Sequence, residues 1–315
     1  MADERGVAPP TLDRASVRRA FERAAATYDA AAVLQREVAR RMAERLDVVR
    51  LAPSIILDAG CGTGAMFASL EARYPRARLV GLDLAQAMTA AASRRRFTGD
   101  THSLPQRALR ALVEKTRPRR WLICADVCRL PIRSRAIDLI WSNLTLQWID
   151  DLPAALAEFS RVLEVGGLLS FTTLGPDTLK ELRQAFAATD DSVHVSRFVD
   201  MHDIGDMLLH AGFADPVMDM EMITMTYGDP RSLMGDLKSL GAQNARVERR
   251  RGLTGRGRWQ RMLAALDGFR RDGRLPATFE VVYGHAWKGE PRLADDGRAI
   301  VRLERRTPAR TAPKR

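Results

Sequence analysis

The run Leu57-Asp58-Ala59-Gly60-Cys61-Gly62-Thr63-Gly64 places an acid ahead of three alternating glycines. Glycine lets a chain turn sharply and brings its backbone against a ligand with no Cβ in the way. The G-x-G-x-G spacing differs from the G-x-G-x-x-G of dinucleotide binders, whose turn holds a pyrophosphate. Asp58 would repel a pyrophosphate but attract an ammonium, and the start of the following helix would receive a carboxylate. That combination suits an amino-acid moiety. Asp83 lies 19 residues after Gly64, where an acid at a strand end accepts from both ribose hydroxyls. Asp126 could accept from the exocyclic amine of adenine, with Val127 packed on the ring. Each acid alone reads as a strand-end or helix-capping residue; at this joint spacing they read as an adenosine site.

Such a site needs a strand running into the glycine turn and a helix leaving it. Short apolar strands are expected at 55–57, 79–84, 121–124, 137–141 and 168–172, with helices at 65–73, 85–95 and 152–163 between them. This alternation predicts a parallel, doubly wound sheet. Ahead of it, apolar residues at helical spacing from Ser16 to Val49 predict two short helices. After Thr173, helices are expected at 177–188, 200–211, 230–240 and 257–271, and strands at 217–227 and 279–287. The two late strands should be antiparallel and close the sheet, leaving 228–275 as a cap over its carboxyl edge. The chain thus divides into an N-terminal helical lid (1–50), a nucleoside-binding core (51–175) and a unit that completes the sheet and caps it (176–288). Residues 96–120 read as a surface insertion with a short helix near 106–115. Residues 1–10 read as unstructured, and 289–315 as a flexible basic tail.

With 315 residues, 46% hydrophobic and 28% charged, the composition is that of a globular protein with a sizeable core. No apolar run approaches the ~18 residues of a membrane span, and the N-terminus has no apolar signal segment. Three cysteines, Cys61, Cys124 and Cys128, give no disulfide framework and suit a reducing cytoplasm. Cys124 and Cys128 lack nearby partners for a metal site, so none is expected. The net charge of +11 comes mainly from arginines at 93–120, 246–274 and 302–315. Such runs are solvated faces or attract acidic partners. RNA is permitted by the charge but disfavoured by the absence of interleaved aromatics. The methionines Met218, Met220, Met222 and Met225 read as filler on a sheet face, and the five histidines as scattered.

With these motifs in place, the chain resembles the class I S-adenosylmethionine (SAM)-dependent methyltransferases over about 50–175. Ile137-Asp138-Leu139-Ile140-Trp141-Ser142-Asn143 is similar to that family's fourth-strand motif, which faces the transferable methyl group. The resemblance implies a Rossmann-like α/β fold with a seven-stranded, mostly parallel sheet, helices on both faces, N-terminal helices and a helical cap. It implies SAM as cofactor, held by Asp58, Gly60, Cys61, Gly62, Gly64, Asp83, Leu84, Asp126, Val127 and Asn143.

A narrower resemblance spans nearly the whole chain. It rests on Phe21…Tyr28…Gln35, Trp141-Ser142-Asn143-Leu144…Gln147-Trp148, Gly252-Leu253-Thr254-Gly255-Arg256 and Val282-Tyr283-Gly284-His285-Ala286-Trp287. These resemble the malonyl-acyl-carrier-protein O-methyltransferases of biotin synthesis, the BioC family. The implied acceptor is the free carboxylate of a malonyl thioester on an acidic acyl carrier protein, in the cytoplasm. A carboxylate is ionised at neutral pH (pKa ~4), so no general base is required. A cation to orient it is expected, and Arg197 and Lys238 are the candidates, with Tyr28 closing over the methyl donor beside Asn143. Arginines at 246–261 are expected to dock the carrier. A related resemblance, through Asp177-Thr178-Leu179…Glu181-Leu182-Arg183, is to a SAM-domain assembly factor of mitochondrial complex I. Alternatives are a methyltransferase with another small-molecule, RNA or protein acceptor, or a SAM-binding protein without turnover. The sequence is silent on oligomeric state.

Overall fold

The computed structural model describes residues 12–95, 120–249, 252 and 255–290. The expected insertion helix near 106–115, the first ten residues and the tail beyond 290 lie outside them. Strands β1 (Ile55–Ala59), β2 (Arg78–Asp83), β3 (Arg120–Cys124), β4 (Ile137–Ser142), β5 (Leu163–Leu174), β6 (Phe213–Tyr227) and β7 (Leu275–Lys288) form one sheet. Its order is β3-β2-β1-β4-β5-β7-β6. The first five strands are parallel, and β7 runs antiparallel to both β5 and β6. The doubly wound sheet expected from sequence is therefore present, closed by two late antiparallel strands. The strand order reverses between β1 and β4, which opens a crevice at the carboxyl ends there.

Burial on both faces explains why β1 and β4 are almost uninterrupted apolar runs. On one face pack α3 (Val33–Arg45), α4 (Phe67–Arg73), α7 (Lys180–Ala187) and α10 (Arg256–Asp267). On the other pack α6 (Leu152–Val162) and α8 (Met201–His210). Trp141, Phe67, Phe159 and Phe171 are fully buried, and burial of each side chain stabilises by about 1.5–3 kcal/mol. Among the described residues, no helix is long and apolar enough to cross a membrane.

Several boundaries differ from expectation, three of them for a visible reason. The N-terminal segment is α1 (Arg14–Ala24), a single turn α2 (Tyr28–Ala31) and α3, not two helices. Asp13 starts α1 by accepting from the Ser16 amide at 3.0 Å, and Ala32 breaks the path with ψ 46°. β5 starts at Leu163 because that residue already pairs with Ile137, before a register shift ahead of Leu139. β7 starts at Leu275 because β6 runs its full length against it; Pro276 sits near the strand start, where a missing N–H is tolerated.

β6 ends at Tyr227 opposite Leu275, beyond the carboxyl end of β5. The described residues of 228–274 therefore lie over that edge of the sheet. They carry α9 (Pro230–Ser239) and α10, with Leu233, Met262 and Leu266 buried in the same core as β7.

Candidate active site

The glycine turn leaves β1 with Gly60, Gly62 and Gly64 all in the left-handed region, at φ +81°, +53° and +74°. A Cβ on Gly60 would lie 2.1 Å from Thr145 Oγ1, and one on Gly64 2.5 Å from Phe67 Cε2. The amides of Gly60 and Cys61 donate to Leu82 O at 2.7 and 2.9 Å, folding the turn onto β2. The Gly62 amide donates to Asp83 Oδ2 at 2.9 Å. The next helix, α4, starts at Phe67, two residues later than expected, and the Phe67 amide donates to Gly64 O at 3.2 Å. The cations beside the turn are Arg36 and Arg95, and Arg95 is paired with Asp29.

Two adjoining cavities, of about 490 and 640 Å³, follow the carboxyl ends of β1 to β4. Asp83, Leu84, Asp126 and Val127 line the first; Asp58, Cys61 and Arg36 line the second. Tyr28, Gly60, Gly62 and Asn143 line both. Gly64 lines neither and serves the turn. The crevice has the size of a small-molecule site, and its acids fit an adenosine joined to an amino acid.

The electrostatics support that fit. Burial, reinforced by the charge of Asp83, pushes the Asp58 carboxyl up to about 8. Burial pushes Asp83 up to about 6 against the opposing amides of Ala85 and Gly62. A carboxyl held this high lacks a counter-charge, and an ammonium beside Asp58 would supply one. Burial first, then Asp58 and Asp83, raises the Cys61 thiol well above its usual range, so it is an uncharged wall. Burial, then Asp83 and Asp29, raises the Tyr28 hydroxyl, which stays a proton-bearing donor at neutral pH.

The N-terminal helices roof this crevice through polar locks onto the core. Arg14 of α1 pairs with Asp126, whose Oδ1 also accepts from the Cys128 amide at 3.0 Å. Glu22 accepts from the Gln86 and Ala87 amides at 2.8 and 2.9 Å, covering the start of α5 (Gln86–Arg94). Thr63 Oγ1 donates to Asp29 at 2.5 Å. Phe21 meets Trp148 edge-on at 5.3 Å, which makes Trp148 a wall of the site.

Asn143 follows β4 and its side chain is committed on both ends. Its Nδ2 donates to Gln35 O at 3.1 Å, and its Oδ1 accepts from Thr172 Oγ1 at 2.9 Å. It therefore staples α3 to the sheet beside the crevice. The next residue, Leu144, adopts φ +48°, a strain of about 1–2 kcal/mol for a leucine. The Leu144 amide is held by Thr172 O and Oγ1 at 3.1 and 2.9 Å.

A third, smaller cavity of about 110 Å³ lies under the cap and shares Phe21, Tyr28, Leu144 and Trp148 with the first. Its mostly apolar walls come from α3, α7, α9 and β6, with Gln35, Gln147, His194 and Asn244 among its polar groups. Tyr28 lines all three cavities and so stands at their junction.

The two cations expected there are elsewhere. Arg197 is exposed, and only its neighbours Ser196 and Phe198 line the cavity. Lys238 is exposed while Leu237 points inward, because consecutive helical residues face about 100° apart. Among the described residues that line this cavity, none is a lysine or arginine. Of the arginines at 246–261, Arg256 and Arg261 are exposed, whereas Arg246, Arg249 and Arg258 are tied into the protein. Arg246 is only 5% exposed and donates to Arg197 O at 2.9 Å. Arg249 donates to Ser16 Oγ at 2.9 Å, and Arg258 to Asp190 at 2.9 Å. Arg250 and Arg251 lie outside the described residues. Gln35, Thr145 and His194 were not singled out from sequence as site residues; amide and hydroxyl side chains leave no spacing signal. Among the described residues no group of His, Cys, Asp or Glu could hold a metal.

The methyltransferase-domain family model matches residues 57–171. The chain is 54% identical over 300 residues to a malonyl-[acyl-carrier protein] O-methyltransferase of Laribacter hongkongensis, covering 94% of this chain and 98% of that one. It is 52% identical over 301 residues to the protein of the same name from Methylovorus sp., covering 95% and 98%. Among solved structures, the YcgJ protein of Bacillus subtilis superimposes with a TM-score of 0.53 at 14% identity, over 80% of this chain and 99% of that one, a likeness of fold alone. With the expected fold, the nucleoside-type crevice and this identity over almost its full length, the chain belongs to the malonyl-[acyl-carrier protein] O-methyltransferase family.

Proposed function

We propose that this chain transfers the methyl group of SAM to the free carboxylate of a malonyl group carried by acyl carrier protein. The observation that carries the reading is the junction at Tyr28, where an acid-lined adenosine-type crevice adjoins a mostly apolar cavity. The names of relatives about half identical to this chain support it.

Bound in the crevice, SAM supplies an electrophilic methyl group on a sulfonium that leaves as a neutral thioether. Asp58 receives the ammonium of the methionine part and Arg36 its carboxylate. Asp83 accepts from the ribose hydroxyls. Asp126 exchanges Arg14 for the adenine amine, and Val127 and Leu84 pack along the ring. The backbone at Gly60 and Gly62 allows the close approach. Because the acceptor is an ionised carboxylate, the protein has no proton to remove. Its task is alignment and exclusion of water, which fall to Tyr28, Phe21 and Trp148 as roof and to Asn143 as the staple beneath.

The partner in this reading is the acidic carrier, and its docking falls to cations at the rim. Arg197 and Lys238 are exposed on segments whose inner residues line the cap cavity. Esterification would mask the malonyl charge so that chain elongation can lead towards pimeloyl and biotin, in the cytoplasm. The test is transfer of a labelled methyl group from SAM to malonyl-acyl carrier protein, with acetyl-acyl carrier protein as control. Label confined to the malonyl species, and released by mild ester hydrolysis, is expected. Binding of SAM without transfer would refute the reading.

A further inference from the structure

Resting on the reading that the acceptor is a carboxylate, we propose that Gln35 orients that carboxylate as a neutral hydrogen-bond donor. Three observations converge on this residue. Besides Tyr28, it is the one residue among the described residues that lines both the cavity under the cap and the crevice around Asp58 and the glycine turn. Its backbone carbonyl accepts from Asn143 Nδ2 at 3.1 Å, which fixes it at the end of β4. Its Oε1 is shut off from solvent with no hydrogen-bond partner. A buried polar atom without a partner destabilises the protein that carries it, so its place at a junction of cavities points to a ligand. The oxygen and nitrogen of an amide exchange by a half-turn of the terminal torsion, so either end can face a ligand.

The surroundings leave this task to a neutral group. No lysine or arginine is among the described residues that line the cap cavity. Asp236, on the cavity wall, is an acid. The chemistry favours the same arrangement. In the transfer, one carboxylate oxygen forms a bond to the methyl carbon as the carbon–sulfur bond breaks, and the electron pair stays on sulfur. No proton moves, and the carboxylate loses its charge along the way. A protein cation would hold the charged ground state more tightly than the transition state, which slows the step. A neutral amide on the non-attacking oxygen fixes geometry with less of that penalty. It also separates malonyl from acetyl, which has no carboxylate to bond.

The test is Gln35→Met, which keeps the side chain's length and removes both polar atoms. The Michaelis constant for malonyl-acyl carrier protein should rise roughly tenfold or more, the size of a lost hydrogen bond to a charged group. The turnover number should fall much less. Inhibition by acetyl-acyl carrier protein and calorimetric affinity for S-adenosylhomocysteine should match wild type. Thermal stability should hold or rise, because a partnerless buried polar group has been removed. An unchanged Michaelis constant overturns the proposal. So does a loss of stability together with weaker S-adenosylhomocysteine binding, which would make Gln35 a packing residue. Wild-type protein that moves no methyl to the malonyl carrier would instead refute the underlying function, before any variant is made.

Discussion

Replacing Asp58 by asparagine should stabilise the unliganded protein while it cripples cofactor binding. In the unfolded chain this carboxyl titrates at its ordinary value of 3.8, and in the folded protein burial holds it at about 8. Between those values the unfolded chain has released a proton that the folded protein keeps, so raising the pH favours unfolding. The loss amounts to about 1.4 kcal/mol per pH unit for one group and levels off above pH 8. From pH 6 to pH 8 it sums to about 2 kcal/mol. Asp83, at about 6, is half ionised at the start of that window and adds only about 0.4 kcal/mol across it. The stability difference between Asp58→Asn and wild type, from denaturant unfolding without ligand, should therefore widen by about 2 kcal/mol over pH 6 to 8. Calorimetry in buffers of different ionisation enthalpy supplies the second readout. Wild type at pH 7 should release about one proton on binding S-adenosylhomocysteine, as the incoming ammonium ionises Asp58. The variant should release none and bind roughly 10- to 100-fold more weakly. A stability difference that does not move with pH, or binding without proton release, refutes both the protonated Asp58 and its pairing with the ammonium.

Gly60→Ala combines a φ of +81° with a Cβ 2.1 Å from Thr145 Oγ1, and should abolish measurable binding of S-adenosylhomocysteine. Adding Thr145→Ala should relieve the clash but leave a backbone cost of about 1–2 kcal/mol, so calorimetry should show partial recovery. Charge reversal at Arg197 and Lys238 should raise the Michaelis constant for malonyl-acyl carrier protein but not for malonyl-coenzyme A, and should flatten its salt dependence. An equal effect on both thioesters would remove these cations from carrier docking.

The sheet and the glycine turn were legible in the sequence because each is written locally. β1 and β4 are apolar runs of strand length, and the turn needs glycine for its left-handed backbone. The start of β7 was harder to see. Leu275-Pro276-Ala277-Thr278 carries a proline, and only its long pairing with β6 makes it strand. The N-terminal helices were legible as helical, but their break at Ala32 was not, since alanine is a good helix former and the break follows from docking on the core.

Sequence alone thus determined the fold class and the order of the strands, and singled out the acids Asp58, Asp83 and Asp126, because local periodicity and backbone chemistry are recorded residue by residue. The tertiary structure alone decided which side chains meet. It turned Arg197 and Lys238 outward, tied Arg246 and Arg249 into the body of the protein, and brought Gln35 of α3 beside Asn143 just after β4, 108 residues away. Such meetings depend on the direction in which each side chain leaves its helix or loop, and on what the opposing element presents. Neither is fixed by spacing along a single chain.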